Sequence, residues 1–231
     1  MKPYKSTMSL FFKLLFSIIF LQFVLFSCSQ IDPNPKRFED EITTFEKLDK
    51  VNVPEQGRLL FLGSSSIRMW VTAEKLYKKY GAINRGFGGS HTSDVLYYFD
   101  RLVTPYNPSK IIFYEGDNDI SHGKSTERIL DDYRKFLKLV GNMNPKTRVV
   151  FIPAKPSPSR WHLKEQYDDF NLSLLALAEA SDQWEYLDLW SPLLNPKGKP
   201  NGSLYIGDSL HLSTKGYEVW DKVMSDYLNK E

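Results

Sequence analysis

Residues 59–66 read Leu59-Leu60-Phe61-Leu62-Gly63-Ser64-Ser65-Ser66, four large apolar side chains broken at once by a glycine and three hydroxyls. An unbroken apolar run this short fits a strand buried on both faces, and the glycine permits a tight turn at its end. The pattern recurs outward from this point. Apolar runs at 82–84, 111–114, 149–152 and 186–189 alternate with longer amphipathic segments. That alternation predicts an α/β fold: a five-stranded parallel sheet with helices on both faces, a three-layer α/β/α sandwich.

The helical stripes are readable in the same way. Phe38, Ile42, Phe45 and Leu48 recur at helical spacing, as do Val95, Leu96, Phe99 and Leu102, and then Ile129, Tyr133, Phe136, Leu137 and Val140. A last helix follows Ser213, a good N-cap, and directs Tyr217, Trp220, Val223, Met224 and Tyr227 inward. With 231 residues, 42% of them hydrophobic and 25% charged, the chain has the size and composition of one globular domain.

The N-terminal end follows a different logic. Lys2, Lys5 and Lys13 precede an apolar run over 14–27 that only Gln22 interrupts, a signal-peptide pattern shorter than the ~20 apolar residues of a spanning helix. The single cysteine, Cys28, follows Leu25-Phe26-Ser27, which resembles the bacterial lipobox. The resemblance implies cleavage after residue 27, lipidation of Cys28 and an exported chain anchored to a membrane of the bacterial cell envelope. Residues 28–37, with Pro33 and Pro35, then read as a tether, and 38–231 as the folded domain. Removing residues 1–27 takes three lysines and no acids, leaving 27 basic against 28 acidic side chains and a net charge of −1. No basic stripe marks the chain as a nucleic-acid binder.

In an open parallel sheet, the loops leaving the C-terminal strand ends gather on one edge, where ligands bind. The first such loop carries Ser64, Ser65 and Ser66; a Gly-Ser cluster alone is usually only a turn. Near the other end of the chain, Asp208-Ser209-Leu210-His211 spaces a carboxylate and an imidazole so that the acid can orient the base, the help a serine needs to act as a nucleophile. Two further loops, Asn84-Arg85-Gly86-Phe87-Gly88-Gly89 and Gly116-Asp117-Asn118-Asp119, offer a backbone N–H at Gly89 and the Asn118 amide as donors to an oxyanion.

Those four blocks, in that order, resemble the SGNH or GDSL hydrolase family over roughly 58–228. The resemblance implies the flavodoxin-like SGNH hydrolase fold, Ser65 as nucleophile, Asp208 and His211 completing the triad, and the Ser65 backbone, Gly89 and Asn118 forming the oxyanion hole. It implies no cofactor and no metal. The first block, Gly-Ser-Ser-Ser-Ile, looks closest to one branch of the family. Ser64 and Ser90 stand where the family usually has acids, which leaves Ser64 and Ser66 as alternative registers for the nucleophile.

An α/β-hydrolase elbow fails because Ile67 stands where a glycine is required, and a dinucleotide fingerprint fails because His91 stands in its last position. His91, His122 and His162 show no metal-ligand spacing and read as polar loop residues. Arg68, Trp70, Arg85 and the proline-rich 153–161 segment fall near the same edge, as pocket walls or as packing. The expected chemistry is hydrolysis of a short acyl ester, on a glycan or a lysophospholipid-type alcohol. Acyl transfer by the same triad, or glycan binding through Trp70 and Trp161 on a degenerate hydrolase fold, are the alternatives.

Overall fold

A computed structural model describes residues 32–230. The apolar run at 14–27, Cys28 and the start of the tether lie outside the described residues. Among the described residues no helix is long and apolar enough to cross a membrane.

Five strands, β1 (Leu59–Gly63), β2 (Ile83–Gly86), β3 (Lys110–Tyr114), β4 (Arg148–Phe151) and β5 (Trp184–Tyr186), pair in parallel in the order β2-β1-β3-β4-β5. The chain runs outward from β1 to β2 on one side and through β3, β4 and β5 on the other. The switch point therefore lies between β1 and β3, where the loops above the two strands diverge and leave a crevice. Nine α-helices connect and flank the strands: α1 (Glu39–Val51), α2 (Ser65–Arg68), α3 (Ala73–Leu76), α4 (Thr92–Tyr97), α5 (Phe99–Leu102), α6 (Asp117–Ser121), α7 (Thr126–Met143), α8 (Lys164–Ala178) and α9 (Thr214–Leu228), among the described residues.

Alternation along β1 splits the core in two. Leu60 and Leu62 join Ile111, Phe113, Val149 and Phe151 against α1, α4, α5, α7 and α8. Leu59 and Phe61 join Ile112, Tyr114, Val150 and Ile152 against α2 and α9. A sheet covered on both faces is why its three central strands, β1, β3 and β4, are largely continuous apolar runs. The fit is close at the centre, where Phe113 stacks on Phe136 with ring centroids 4.2 Å apart. Each large side chain withdrawn from water in these layers contributes about 1.5–3 kcal/mol.

The expected α/β/α sandwich and its five strands are present, with local departures. The fifth strand is Trp184–Tyr186 instead of 186–189, because the Asp188 carboxylate accepts from the N–H groups of Trp190 and Ser191 and turns the chain out of the sheet. The stripe from Val95 to Leu102 is two short helices, broken at Tyr98. Leu48 is 54% exposed, since only Ile42 of the α1 stripe is fully covered. Helix α8 buries Tyr167, Phe170 and Leu174, but outward-facing Leu172 and Leu175 blur its periodicity in the sequence. At the chain's start, Pro35–Phe38 forms a 3-10 turn capped by Asn34, and Arg37 docks on buried Asp94 at 2.6 Å.

Two glycines separate space from propensity. A Cβ on Gly86 would lie 2.2 Å from the Arg68 nitrogen, where α2 rests on β2, whereas a Cβ on Gly141 in α7 would meet nothing. Gly86→Ala is expected to destabilise the domain by more than about 2 kcal/mol. Gly141→Ala is expected to stabilise it by about 0.5–1 kcal/mol. Urea unfolding of both variants checks the pair; equal effects would contradict the packing described.

Candidate active site

Gly63 ends β1 at φ +147°, and a Cβ there would sit 2.0 Å from the Tyr114 carbonyl oxygen. Only glycine lets the β1 end lie this close to β3 and turn straight into α2. Ser64 N–H donates to the same Tyr114 carbonyl, and Ser65 becomes the first residue of the helix. Its N–H therefore has no acceptor within α2. Ser65 is half-buried, while Ser64 and Ser66 are each 1% exposed.

On the loop before α9, Asp208 organises its own turn. One carboxylate oxygen accepts from Leu210 N–H and His211 N–H, both at 2.9 Å, and the other accepts from His211 Nδ1–H at 2.7 Å. Ser209 adopts φ +58° to close the turn, Ile206 N–H bonds back to the His211 carbonyl, and Ser159 N–H ties the turn to the neighbouring loop. With Nδ1 carrying the proton, Nε2 is left as an acceptor, and it lies 2.9 Å from Ser65 Oγ. Burial opposes the Asp208 charge, but the imidazole and the two N–H donors outweigh it and hold the carboxyl down to about 2.

The other two blocks face the same crevice from β2 and β3. Gly89 is exposed at φ +84°, with open space where a side chain would stand. Asn118, on the first turn of α6, donates from Nδ2 to the Ser90 carbonyl at 2.9 Å, which links the two loops. Ser90 itself is paired with Glu115 at 2.6 Å. Burial, reinforced by the Asp119 charge, pushes the Glu115 carboxyl well up. Ser90 Oγ–H donates to the Glu115 carboxyl and also lies 3.1 Å from the Phe87 carbonyl. Where the family usually has an acid, Ser90 is thus bonded to one at the end of β3.

The structure therefore brings Ser65, His211 and Asp208 into one hydrogen-bonded chain and sets Gly89 and Asn118 on the adjoining loops. It does not bring Trp70 or Arg85 to the crevice. Trp70 is wholly buried and donates its indole N–H to Asp221 at 2.6 Å, so it offers no face to a sugar. Arg85 is buried against Asp49 and Tyr106, anchoring α1. Arg68 is half-exposed and pairs with Glu41 at 3.5 Å. His91 is buried beside Asp119, His122 bonds the Asn118 carbonyl through Nδ1 at 2.8 Å, and among the described residues no cluster has the makings of a metal site.

Residues 63–219 match the model of the GDSL-like Lipase/Acylhydrolase family. The chain belongs to this family. It is a carboxylic ester hydrolase. It is similar to platelet-activating factor acetylhydrolase IB subunit alpha1 of Homo sapiens, 24% identical over 169 residues that make up 71% of each chain. It is also similar to isoamyl acetate-hydrolyzing esterase 1 homolog of Rattus norvegicus, 27% identical over 193 residues, covering 70% of this chain and 77% of that one. A solved structure from Streptococcus pneumonia bearing a platelet activating factor designation shares the fold at TM-score 0.75 and 23% identity, over 93% of this chain and 99% of that one.

Beside Asn118, Lys155 Nζ and Arg160 Nη1 bond the Asp117 carboxylate at 2.9 and 2.6 Å, a pairing between residues far apart in this GDSL-like chain that its sequence does not make legible. The one available signal was two cations in a proline-rich loop leaving a buried strand. The local charge balance is directly measurable at Asp208. Its carboxyl carbon resonance is expected to stay flat through the usual carboxylate range and to shift only as the pH nears about 2. A midpoint at the ordinary aspartate value would contradict the bonding between Asp208 and His211.

Proposed function

We propose that the chain hydrolyses a short acyl ester, acetyl foremost, through an acyl-serine intermediate on Ser65. The observation that carries this is the Ser65–His211–Asp208 chain standing at the switch point of the sheet. His211 Nε2 takes the Ser65 proton as Oγ attacks the ester carbonyl carbon. The charge that develops on the carbonyl oxygen is met by the N–H groups of Ser65 and Gly89 and by Asn118 Nδ2. Collapse breaks the bond to the alcohol, which leaves with the proton from the imidazolium. Water, deprotonated in turn by His211, attacks the acyl-serine, and the acid departs with Ser65 restored.

Acetyl is favoured by the relatives, two of which are named for acetyl or acetate esters. The nucleophile is half-buried and Asp208 is 43% exposed on its side chain, so the crevice opens at the surface and suits an acyl group carried on a bulky alcohol, such as a glycan or a lysophospholipid-type ester. The same acyl-serine could pass its acyl group to a sugar instead of water; product analysis with an acceptor sugar separates transfer from hydrolysis.

Ser65→Ala is expected to lower kcat on p-nitrophenyl acetate by at least about 10⁴-fold. Wild-type protein quenched in acid during turnover should carry the acyl mass on the Ser65 peptide. Undiminished hydrolysis by the variant would sink the reading.

A second part of the proposal concerns location. The lipobox-like stretch before Cys28 supports export and lipid anchoring in the bacterial cell envelope. Cys28→Ala is expected to move the protein from the membrane to the soluble fraction and to remove the lipid mass from its N-terminal peptide. An unchanged distribution would count against an anchor at this residue.

A further inference from the structure

The loop over 153–161 leaves the end of β4 and brings two cations under the oxyanion loops without using either in the proposed hydrolysis. Lys155 Nζ lies 2.9 Å from one Asp117 carboxylate oxygen. Arg160 Nη1 lies 2.6 Å from the other and 3.1 Å from the Asp117 carbonyl. The hydroxyls of Tyr114 and Tyr167 also donate to this carboxylate. Burial works against the Asp117 charge, but Lys155 and Arg160 overcome it and hold the carboxyl well below the usual range.

A buried ion cluster contributes little net stability, because desolvation offsets most of the Coulomb attraction. Its role here is visible in the other arm of the guanidinium. Arg160 Nη2 donates to Asn118 Oδ1 at 3.1 Å. On the opposite side of the same amide, Asn118 Nδ2 donates to the Ser90 carbonyl at 2.9 Å.

A carboxamide has nearly the same shape when its oxygen and nitrogen are exchanged, so packing alone does not choose between the two orientations. Its partners do. Turned over, Oδ1 would face the Ser90 carbonyl and the NH2 group would face the guanidinium, two repulsive contacts in a buried setting. In the observed orientation one Nδ2 proton is held by Ser90 and the other is left for a ligand. Arg160 is the residue that makes the oxygen end unambiguous, and Asp117, whose other carboxylate oxygen is held by Lys155, keeps its planar fork in place.

We propose that Arg160 is a positioning residue: held by Asp117, it fixes the orientation of the Asn118 amide so that Nδ2–H, not Oδ1, meets the oxyanion formed at Ser65. This rests on the assignment of Asn118 as an oxyanion donor. The interaction acts on a group that stabilises charge in the transition state, so it belongs to kcat and not to substrate binding.

The test is a double-mutant cycle on p-nitrophenyl acetate with Arg160→Lys, Arg160→Met and Asn118→Ala in the purified protein. Lysine retains the charge that balances Asp117 but cannot reach Asp117 and Asn118 together. Both Arg160 variants are expected to lose about ten- to a hundredfold in kcat, with KM within about threefold of wild type. The thermal midpoint of Arg160→Lys should stay near wild type, which separates positioning from unfolding. In the Asn118→Ala background, Arg160→Lys should cost nothing further. Wild-type kcat in Arg160→Lys, or a loss that multiplies fully with that of Asn118→Ala, would overturn the proposal while leaving the oxyanion assignment intact. If Asn118→Ala alone keeps full kcat, the oxyanion assignment falls first and the positioning role falls with it.

Discussion

The contact on which the site depends is the approach of Gly63 to the Tyr114 carbonyl. The ends of β1 and β3 are packed so closely there that no side chain fits between them. Ser65 lies two residues past one end and Asn118 four residues past the other. Any outward shift of β1 would separate these two loops, and no adjustment of surface side chains would restore the spacing. The same glycine takes a backbone angle that other residues adopt only under strain, so the turn into α2 and the strand spacing are secured at a single position.

Around that contact the loops are tied to one another by buried polar groups. Asn118 bridges to Ser90, Ser90 to Glu115, and Arg160 to both Asp117 and Asn118. Each bond satisfies a group that would otherwise be costly to bury. The two carboxyls at the end of β3 are handled in opposite ways. Burial and the neighbouring Asp119 push the Glu115 carboxyl up, whereas Lys155 and Arg160 hold the Asp117 carboxyl down. By contrast the Asp208–His211 turn lies at the surface and is organised mainly by the Asp208 carboxylate, which accepts from the N–H groups of Leu210 and His211 and from the imidazole. A buried, cross-linked inner half thus meets a locally built outer half at Ser65.

The two halves differ in their exposure to solvent. Asn118 and Ser90, on the loops after β3 and β2, are buried and bonded to each other. The His211 imidazole is partly exposed and the Asp208 carboxylate more so.

Much of the fold was legible because it depends on local pattern: apolar runs of strand length, helical stripes such as Ile129 to Val140, and the Ser213 cap. The four site blocks were legible because glycine, serine, asparagine and an Asp-x-x-His spacing carry chemistry at strand ends whatever the rest of the chain does. What the sequence by itself determined, then, was the layer architecture and the residues available to the site. The tertiary structure alone decided which serine faces the imidazole, that Trp70 and Arg85 are packing residues, and that Arg160 is joined to Asn118. The physical reason is that such choices turn on burial and on donor–acceptor pairing between residues 42 or 146 positions apart, which no local periodicity records.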